Sequence, residues 1–292
     1  MPPSVFPRHR WRWTCADHLQ VCLYLCNEMV TQKVVLIGIG GASCSGKTLL
    51  AKHISQALPQ NAIIIHQDDF CPPADQVPYS KEYPDLQDWD DPSSCILWQE
   101  LQGFLAKVRQ TGRVEDHSSH DHLNKQNKIP IDQVVFERWA EAFRSLDAEQ
   151  RQKGVELIWV IVDGFVLYWD KLVTDMLDIR IFLQVPYQTL KDRREQRQTY
   201  VLQHPDDAAE GGVWTDPPDY FDKIVWPGYL KAHSHVLDGP GLTQLKPEWG
   251  PKGLDLHVIC PGEGADELSE AFDKSCQAVL KGVESGKGSI IA

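Results

Sequence analysis

The chain has 292 residues, enough for one or two domains with a real core. Hydrophobic residues make up 42% and charged residues 24%, which are ordinary globular values. The formal net charge of −12 argues against broad nucleic-acid binding, and no run of about 18 apolar residues is present to span a membrane. Eight cysteines are scattered without a C-x-x-C pair, so neither a zinc site nor a disulfide framework is indicated and a reducing, cytoplasmic setting fits best.

The first 28 residues are rich in Arg, Trp and Cys. Their apolar piece, "VCLYLC", is too short for a signal-peptide core, and Asp17 and Glu28 count against a mitochondrial presequence. Residues 1–28 are expected to be a disordered leader, followed by a single domain over 29–292.

Residues 33–39 are an unbroken apolar run and read as a buried parallel strand. "GGASCSGKT" follows, with the spacing G-x-x-x-x-G-K-T. Gly41 and Gly46 let backbone N–H groups approach a polyphosphate, and the helix opening at 47 offers its N-terminal dipole. Lys47 is expected to reach the terminal phosphates, and Thr48 to ligate Mg²⁺. The whole stretch Gly41, Ala42, Ser43, Cys44, Ser45, Gly46, Lys47, Thr48 and Leu49 is the expected ATP cradle.

The helix over 47–58 ends at Pro59, and "NAIIIH" over 61–66 is a second strand. "QDDF" follows that strand. A carboxylate there, Asp68 or Asp69, can orient an acceptor hydroxyl, accept its proton, or hold Mg²⁺; a solvated acidic turn is the plainer alternative. "LQDWDDP" at 86–92 sets Trp89 beside Asp90: an aromatic face for a flat cationic base and a carboxylate for ribose hydroxyls, or simply a turn before the next helix. That helix is expected from about Pro92 to Val108. The segment 109–130 is polar and without periodicity, so it reads as a surface insertion. His117, His120 and His122 lie in it, and a solvated loop is favoured there over a metal site.

"LIWVIVDGF" at 157–165 is a third strand that ends in Asp163, a second handle on Mg²⁺ or the start of an Asp-Gly turn. "DIRIFLQV" at 178–185 is a fourth, and Pro186 opens a basic helix with Arg193, Arg194 and Arg197. A basic helix followed by a long loop suits a lid over ATP, placed here at about 191–216. A helix start capped around Asp216, with Pro217 in its first turn, is the structural expectation for the aromatic stretch 214–233. "DLHVIC" at 255–260 is the fifth strand, and residues 265–283 have helical periodicity. Strands alternating with helices imply an α/β, doubly wound, five-stranded parallel sheet, which the G-x-x-x-x-G-K-T spacing makes one of the phosphate-loop type, with ligands at the carboxyl ends of the strands. The loops after Ile39, His66 and Val162 then lie side by side.

Taken together, "IGIGGASCSGKT", "QDDF", "LQDWDDP", "VDGFVLY", "FLQVPYQTLKDRREQR" and "DPPDYFDKIVWPGYLK" resemble the nicotinamide riboside kinases, within the larger uridine kinase and phosphoribulokinase-like group. The resemblance implies ATP- and Mg²⁺-dependent phosphorylation of the ribose 5′-hydroxyl of nicotinamide riboside, giving nicotinamide mononucleotide for NAD synthesis. It implies Asp68, Lys47 and Arg193 as catalytic groups, with Arg193 and Arg197 on ATP. It implies a riboside site of Asp68, Asp69, Phe70, Trp89, Asp90 and Arg194, and Mg²⁺ at Thr48, Asp68 and Asp163. The partner implied is a small riboside; nucleic acid, membrane and an obligate protein partner are not expected. Asp163 stands where animal members carry Glu, one methylene longer, so a metal contact there is expected through water. A uridine-, cytidine- or pantothenate-type kinase is the enzymatic alternative. A nucleotide-driven switch and a degenerate kinase kept as a binding module are the non-catalytic ones; intact Gly46-Lys47-Thr48 and Asp68 argue against the last.

Overall fold

A computed structural model describes residues 30–60, 62–115, 119, 129–197, 200–201, 213–261 and 266–291. The leader, the three insertion histidines and much of the expected lid loop lie outside the described residues.

The strands are β1 (Thr31–Gly41), β2 (Ile63–His66), β3 (Val155–Gly164), β4 (Ile179–Leu183), β5 (Tyr200–Val201), β6 (Val213–Trp214), β7 (Leu237–Asp238), β8 (Gln244–Leu245), β9 (Leu256–Ile259) and β10 (Ser289–Ile290). The helices are α1 (Lys47–Ala57), α2 (Trp98–Thr111), α3 (Gln133–Gln152), α4 (Lys171–Met176), α5 (Tyr187–Arg197), α6 (Trp226–His233) and α7 (Glu267–Glu284). The main sheet runs β2-β3-β1-β4-β9, with every pair in that series parallel. The five expected strands are therefore present. A sixth, β10, pairs antiparallel with Lys33 and Val34 at the start of β1. Two residues are too short to show a period, which is why the sequence does not announce it.

Strand β1 is apolar on both sides because both faces of the sheet are covered. Val34 and Leu36 pack into one core, with Leu101, Leu105 and Val108 of α2 and with Phe182, Tyr220 and Tyr229. Val35, Ile37 and Ile39 pack into the other, with Leu50 and Ile54 of α1, Phe143 of α3 and Phe272 and Val279 of α7. The central position of β1 puts the loop that follows it in the middle of the sheet edge, between the ends of β3 and β4.

Helix α2 starts at Trp98, six residues later than expected from Pro92. Asp91 explains the delay. Its backbone carbonyl accepts from Ser94 and Cys95 and its side chain from Ser93 N at 2.8 Å, so the chain turns there before it coils. Helix α3 has no counterpart among the sequence expectations. Charged residues fill most of its surface, but Trp139, Phe143 and Leu146 recur at helical spacing and are buried. Asp132 caps it, accepting from Val135 N at 3.0 Å. Phe143 is fully buried and meets the Trp159 ring of β3 edge-on, with centroids 6.1 Å apart.

Phe143→Ala is expected to cost about 3–5 kcal/mol, the range for removing a buried aromatic. Urea denaturation at equilibrium measures it. A loss under about 1 kcal/mol would mean that α3 is a surface appendage.

Candidate active site

Strand β1 ends at Gly41 and α1 begins at Lys47, so Ala42–Gly46 must turn the chain back on itself. Gly46 makes this possible: its φ of 94° lies in the left-handed region, where any side chain is strained even though the space around it is open. Leu50 N already donates to Gly46 O at 3.0 Å, which leaves the first N–H groups of α1 without intrahelical partners. They form an anion site at the N-terminus of an 11-residue helix. Lys47 folds back into the loop and donates to Ala42 O at 2.8 Å. Burial pushes its ammonium below the ordinary lysine value, with Asp68 and Asp163 opposing the fall. An anion entering this loop would relieve that cost.

Three elements meet at Asp163. The register pairs Ile39 with Asp163 across β1 and β3, and His66 with Asp163 across β2 and β3. The carboxylate is almost wholly buried. Its Oδ2 accepts from Thr48 Oγ1 at 2.5 Å, and its Oδ1 meets His66 Nδ1 at 2.6 Å. Burial works against the charge, but the hydrogen bonds from His66 and Thr48 and the charge of Lys47 outweigh it, and the net shift is downward. The loops after Ile39, His66 and Val162 are thus neighbours.

"QDDF" forms one turn of 3₁₀ helix, Gln67–Phe70, clamped at both ends. Gln67 is fully buried, and its Oε1 accepts from Val166 N at 3.0 Å. Phe70 is buried against Phe104, with centroids 5.4 Å apart. Phe70 thereby supports the turn from the core side, not the solvent side. Asp68 and Asp69 are the two middle residues and face outward. Asp68 reaches solvent in the cleft, yet enough protein surrounds it that lost hydration raises its carboxyl above the ordinary aspartate value; Asp163 adds to the rise, and Lys47 and His66 oppose it. Asp69 accepts from Ser119 Oγ at 3.4 Å.

On the other side of the cleft, a narrow pocket is lined by Ala42, Ser43, Asp90, Phe165, Val166, Val225 and Tyr229. It joins the phosphate loop to Asp90 directly. Helix α6 comes so close that a Cβ on Gly228 would lie 2.5 Å from Asp90 O, and this contact fixes the Asp90 backbone. Burial raises the Asp90 carboxyl from 3.8 to about 6, although Arg194 pulls it down. Trp89 presents its ring to Trp214, with centroids 5.7 Å apart and planes at 55°. Trp214 also meets Tyr220 at 5.4 Å. Trp89 Nε1 is a buried donor with no partner among the described residues.

The basic helix α5 directs two arginines at the phosphate loop. Arg193 forks onto Glu267 at 2.8 and 2.7 Å and reaches Cys44 O at 3.5 Å. Arg194 is buried, forks onto Asp216 at 2.6 and 2.9 Å, and donates to Ser43 Oγ at 2.8 Å. Arg197 is half-buried at the end of the helix, within electrostatic reach of Lys47. Asp216 caps no helix. The chain turns at Pro217–Tyr220 and enters a π-helical turn at Phe221–Val225, while the Asp216 carboxylate is spent on Arg194 and Trp214.

His66, Trp214, Asp216 and Glu267 belong to this constellation without being singled out by the sequence as site residues. His66 and Trp214 had a signal: one ends the strand before "QDDF", the other stands in an aromatic cluster. Glu267 had none, since an acidic residue in a first helical turn is ordinary. Among the described residues no three His, Cys, Asp or Glu side chains cluster into an all-protein metal cage. Thr48 Oγ1 and the Asp163 carboxylate are hard oxygen donors beside the phosphate loop. Such a set suits Mg²⁺, which takes one or two carboxylates together with substrate phosphates.

A carboxyl raised in the folded state favours the proton there, so its ionisation costs stability as the pH rises through the folded value. For Asp90, raised from 3.8 to about 6, the cost at neutral pH is up to about 3 kcal/mol. Asp90→Asn is expected to melt higher than the unsubstituted protein above pH 6. The difference should shrink as the pH falls from about 6 toward 3.8. Melting curves taken across that window test this, and a constant offset would contradict it.

No family model matches the chain. Curated relatives do. The nicotinamide riboside kinase of Eremothecium gossypii is 33% identical over 208 residues, 71% of this chain and 79% of that protein. That of Schizosaccharomyces pombe is 32% identical over 73% of this chain and 85% of its own. That of Saccharomyces cerevisiae is 30% identical over 87% of this chain and 98% of its own. A solved sugar kinase from Janibacter sp. HTCC2649 covers 85% of this chain and 98% of its own at 14% identity and a TM-score of 0.34, too low to carry an argument. These relatives are at least 30% identical over 71–87% of this chain and 79–98% of their own: the chain belongs to the nicotinamide riboside kinase family.

Proposed function

We propose that the protein transfers the γ-phosphoryl group of ATP to the ribose 5′-hydroxyl of nicotinamide riboside, giving nicotinamide mononucleotide and ADP. Family membership supports the activity. The observation that carries the chemistry is the meeting of Asp68, Lys47 and the Thr48–Asp163 pair at one end of the sheet, with Asp90 across a pocket that the phosphate loop also lines. A uridine- or pantothenate-type reading has no comparable support.

The polyphosphate lies along the N–H groups of the loop from Gly41 to Leu49, with Lys47 turning from Ala42 O to the phosphate oxygens. Thr48 and Asp163, with Asp68 near them, would hold Mg²⁺. Once bound, the ion shields the phosphate charge. The riboside enters with its cationic ring against Trp89 and its ribose hydroxyls on Asp90. Asp68 accepts a hydrogen bond from the 5′-hydroxyl. As the new O–P bond forms and the bond to the ADP oxygen breaks, Asp68 takes the hydroxyl proton. Its raised carboxyl makes it a stronger base than an exposed aspartate. Arg193 and Lys47 stabilise the charge on the transferring group. Asp69 shares the turn but makes its hydrogen bond to Ser119, so it assists binding and is not the base.

ADP release measured over a panel of ribosides tests the substrate. Nicotinamide riboside should be turned over with a higher kcat/KM than uridine or cytidine, and the reverse order would move the protein to the alternative class. Asp68→Asn keeps the shape and loses the basicity, so kcat should fall about 10²–10⁴-fold, roughly 3–5 kcal/mol of barrier, with ATP binding retained. Asp69→Asn should change kcat only a few-fold. If Asp69→Asn is the crippled variant, the base has been assigned to the wrong carboxylate.

A further inference from the structure

We infer that Asp216 is a positioning residue for the transfer, holding the base-side ring of Trp214 and the phosphate-side cation of Arg194 with one carboxylate. The inference rests on the function proposed above. Both oxygens of this carboxylate are engaged, and together they accept three hydrogen bonds. Oδ2 accepts from Arg194 Nε at 2.6 Å, and Oδ1 accepts from Arg194 Nη2 at 2.9 Å and from Trp214 Nε1 at 2.8 Å. The third nitrogen of the same guanidinium, Nη1, donates to Ser43 Oγ at 2.8 Å inside the phosphate loop. Trp214 in turn lies against Trp89, whose backbone N donates to the hydroxyl of Tyr220 at 3.2 Å. A continuous path of contacts therefore runs from the ring that faces the riboside to the loop that faces ATP, and Asp216 is its middle member.

Three physical points set this apart from an ordinary ion pair. Arg194 is 7% exposed, so losing the carboxylate that takes two of its nitrogens would leave a buried guanidinium held less well. The two-point geometry fixes the orientation of the planar group as well as its distance. The indole N–H bond fixes the turn of the Trp214 ring about its own side chain, and so the support it gives to Trp89, the ring on which the base is proposed to lie. Removing the carboxylate should thus disturb two quantities that are separable in kinetics. Riboside binding depends on Trp214; the rate of transfer depends on Arg194.

The test uses the full chain with nicotinamide riboside and ATP. Asp216→Asn should lower kcat about tenfold or more and raise the riboside KM about fivefold or more, while the ATP KM stays within about threefold. Trp214→Phe deletes the indole N–H and keeps an aromatic ring, so it should raise the riboside KM and leave kcat within about twofold. The double variant should match Asp216→Asn alone, since both changes break the same contact. A scaffold role alone would lower the melting temperature and shift both KM values together, and that result overturns the proposal. So does an Asp216→Asn variant with unchanged or increased kcat, which would make the carboxylate a group that withholds Arg194. If Asp216→Asn does not fold, the Trp214→Phe variant decides by the same split between riboside KM and kcat. Failure of the unsubstituted protein to phosphorylate nicotinamide riboside would count against the function itself, whereas a failure confined to the variants counts against Asp216.

Discussion

The buried carboxylate of Asp163 is the interaction on which the rest of the site depends. It ends β3, and β3 is bonded to both β1 and β2, so its position is set by two parallel ladders. From there it reaches Thr48 on α1 and His66 on β2. The start of α1, and with it the direction of the loop N–H groups, is tied to the sheet by that one contact to Thr48. His66 is tied by the other, and the Gln67–Phe70 turn that carries Asp68 follows it immediately. A buried ion is expensive unless it is hydrogen-bonded and paired. Here two donors and the nearby lysine hold it ionised. The short side chain matters: an aspartate at this strand end touches Thr48 directly, where a side chain one methylene longer would have to be accommodated differently.

The cleft built around this carboxylate is divided by charge. One wall is the phosphate loop, with the unpaired N–H groups of α1, Lys47 and the two arginines of α5. The other holds Asp90 and the Trp89–Trp214 pair, with Asp88 and Asp216 adding to the negative field that Asp90 feels. In the function proposed above, the polyphosphate would take the first wall and the cationic riboside the second. Arg193 and Arg194 are paired where they stand, with Glu267 and Asp216, and the repulsion that Lys47 feels from this helix comes from Arg197. This explains how a chain with a net charge of −12 presents an anion-binding loop. The cations of the site come from one helix and one loop, and the carboxylates around them are held in ion pairs and hydrogen bonds.

What could be read from the sequence follows the range of the interactions involved. The phosphate loop is local: strand, glycines, lysine and helix stand in one stretch of chain, and its chemistry is carried by residue types at fixed spacing. The five parallel strands are local too, since each is an apolar run. Helix α3 was missed because its apolar side is only Trp139, Phe143 and Leu146 in a strongly charged segment, and the sheet that buries them is distant in sequence. Asp216 was read as a helix cap because Asp before Pro-Pro is a common way to begin a helix. Its actual partner, Arg194, lies 22 residues away across the lid region, and no spacing rule connects them. Phe70 shows the opposite error. It shares a motif with Asp68, yet the 3₁₀ turn sends it into the core. Short motifs say which residues are neighbours in the chain; which way each one faces is decided by the turn.

The same residues also show where the fold works against itself. Lys47, Asp68 and Asp90 are each shifted against their own charge, and in each case burial is the leading cause. A scaffold selected for stability alone would replace them with neutral groups. They are gathered on one rim of the sheet, while the middle of β1 and the two cores on either side of it are apolar. The two large cores can carry this strain because they lie on both sides of the central strand and do not depend on the rim for cohesion. In the proposed reaction part of that cost would be recovered as ligands bind: a phosphate would give Lys47 a further counter-charge, and ribose hydroxyls would give Asp90 hydrogen bonds. Binding energy in this site therefore includes relief of unfavourable burial already built into the free protein, beyond the new contacts made. Ala42, whose carbonyl accepts from Lys47, and Ser43 line the pocket that Asp90 also lines. A ligand on one wall alone would leave the other group with only the partial compensation it has in the free protein, from Asp68 and Asp163 for Lys47 and from Arg194 for Asp90, so the geometry favours a site in which both substrates are present before transfer begins.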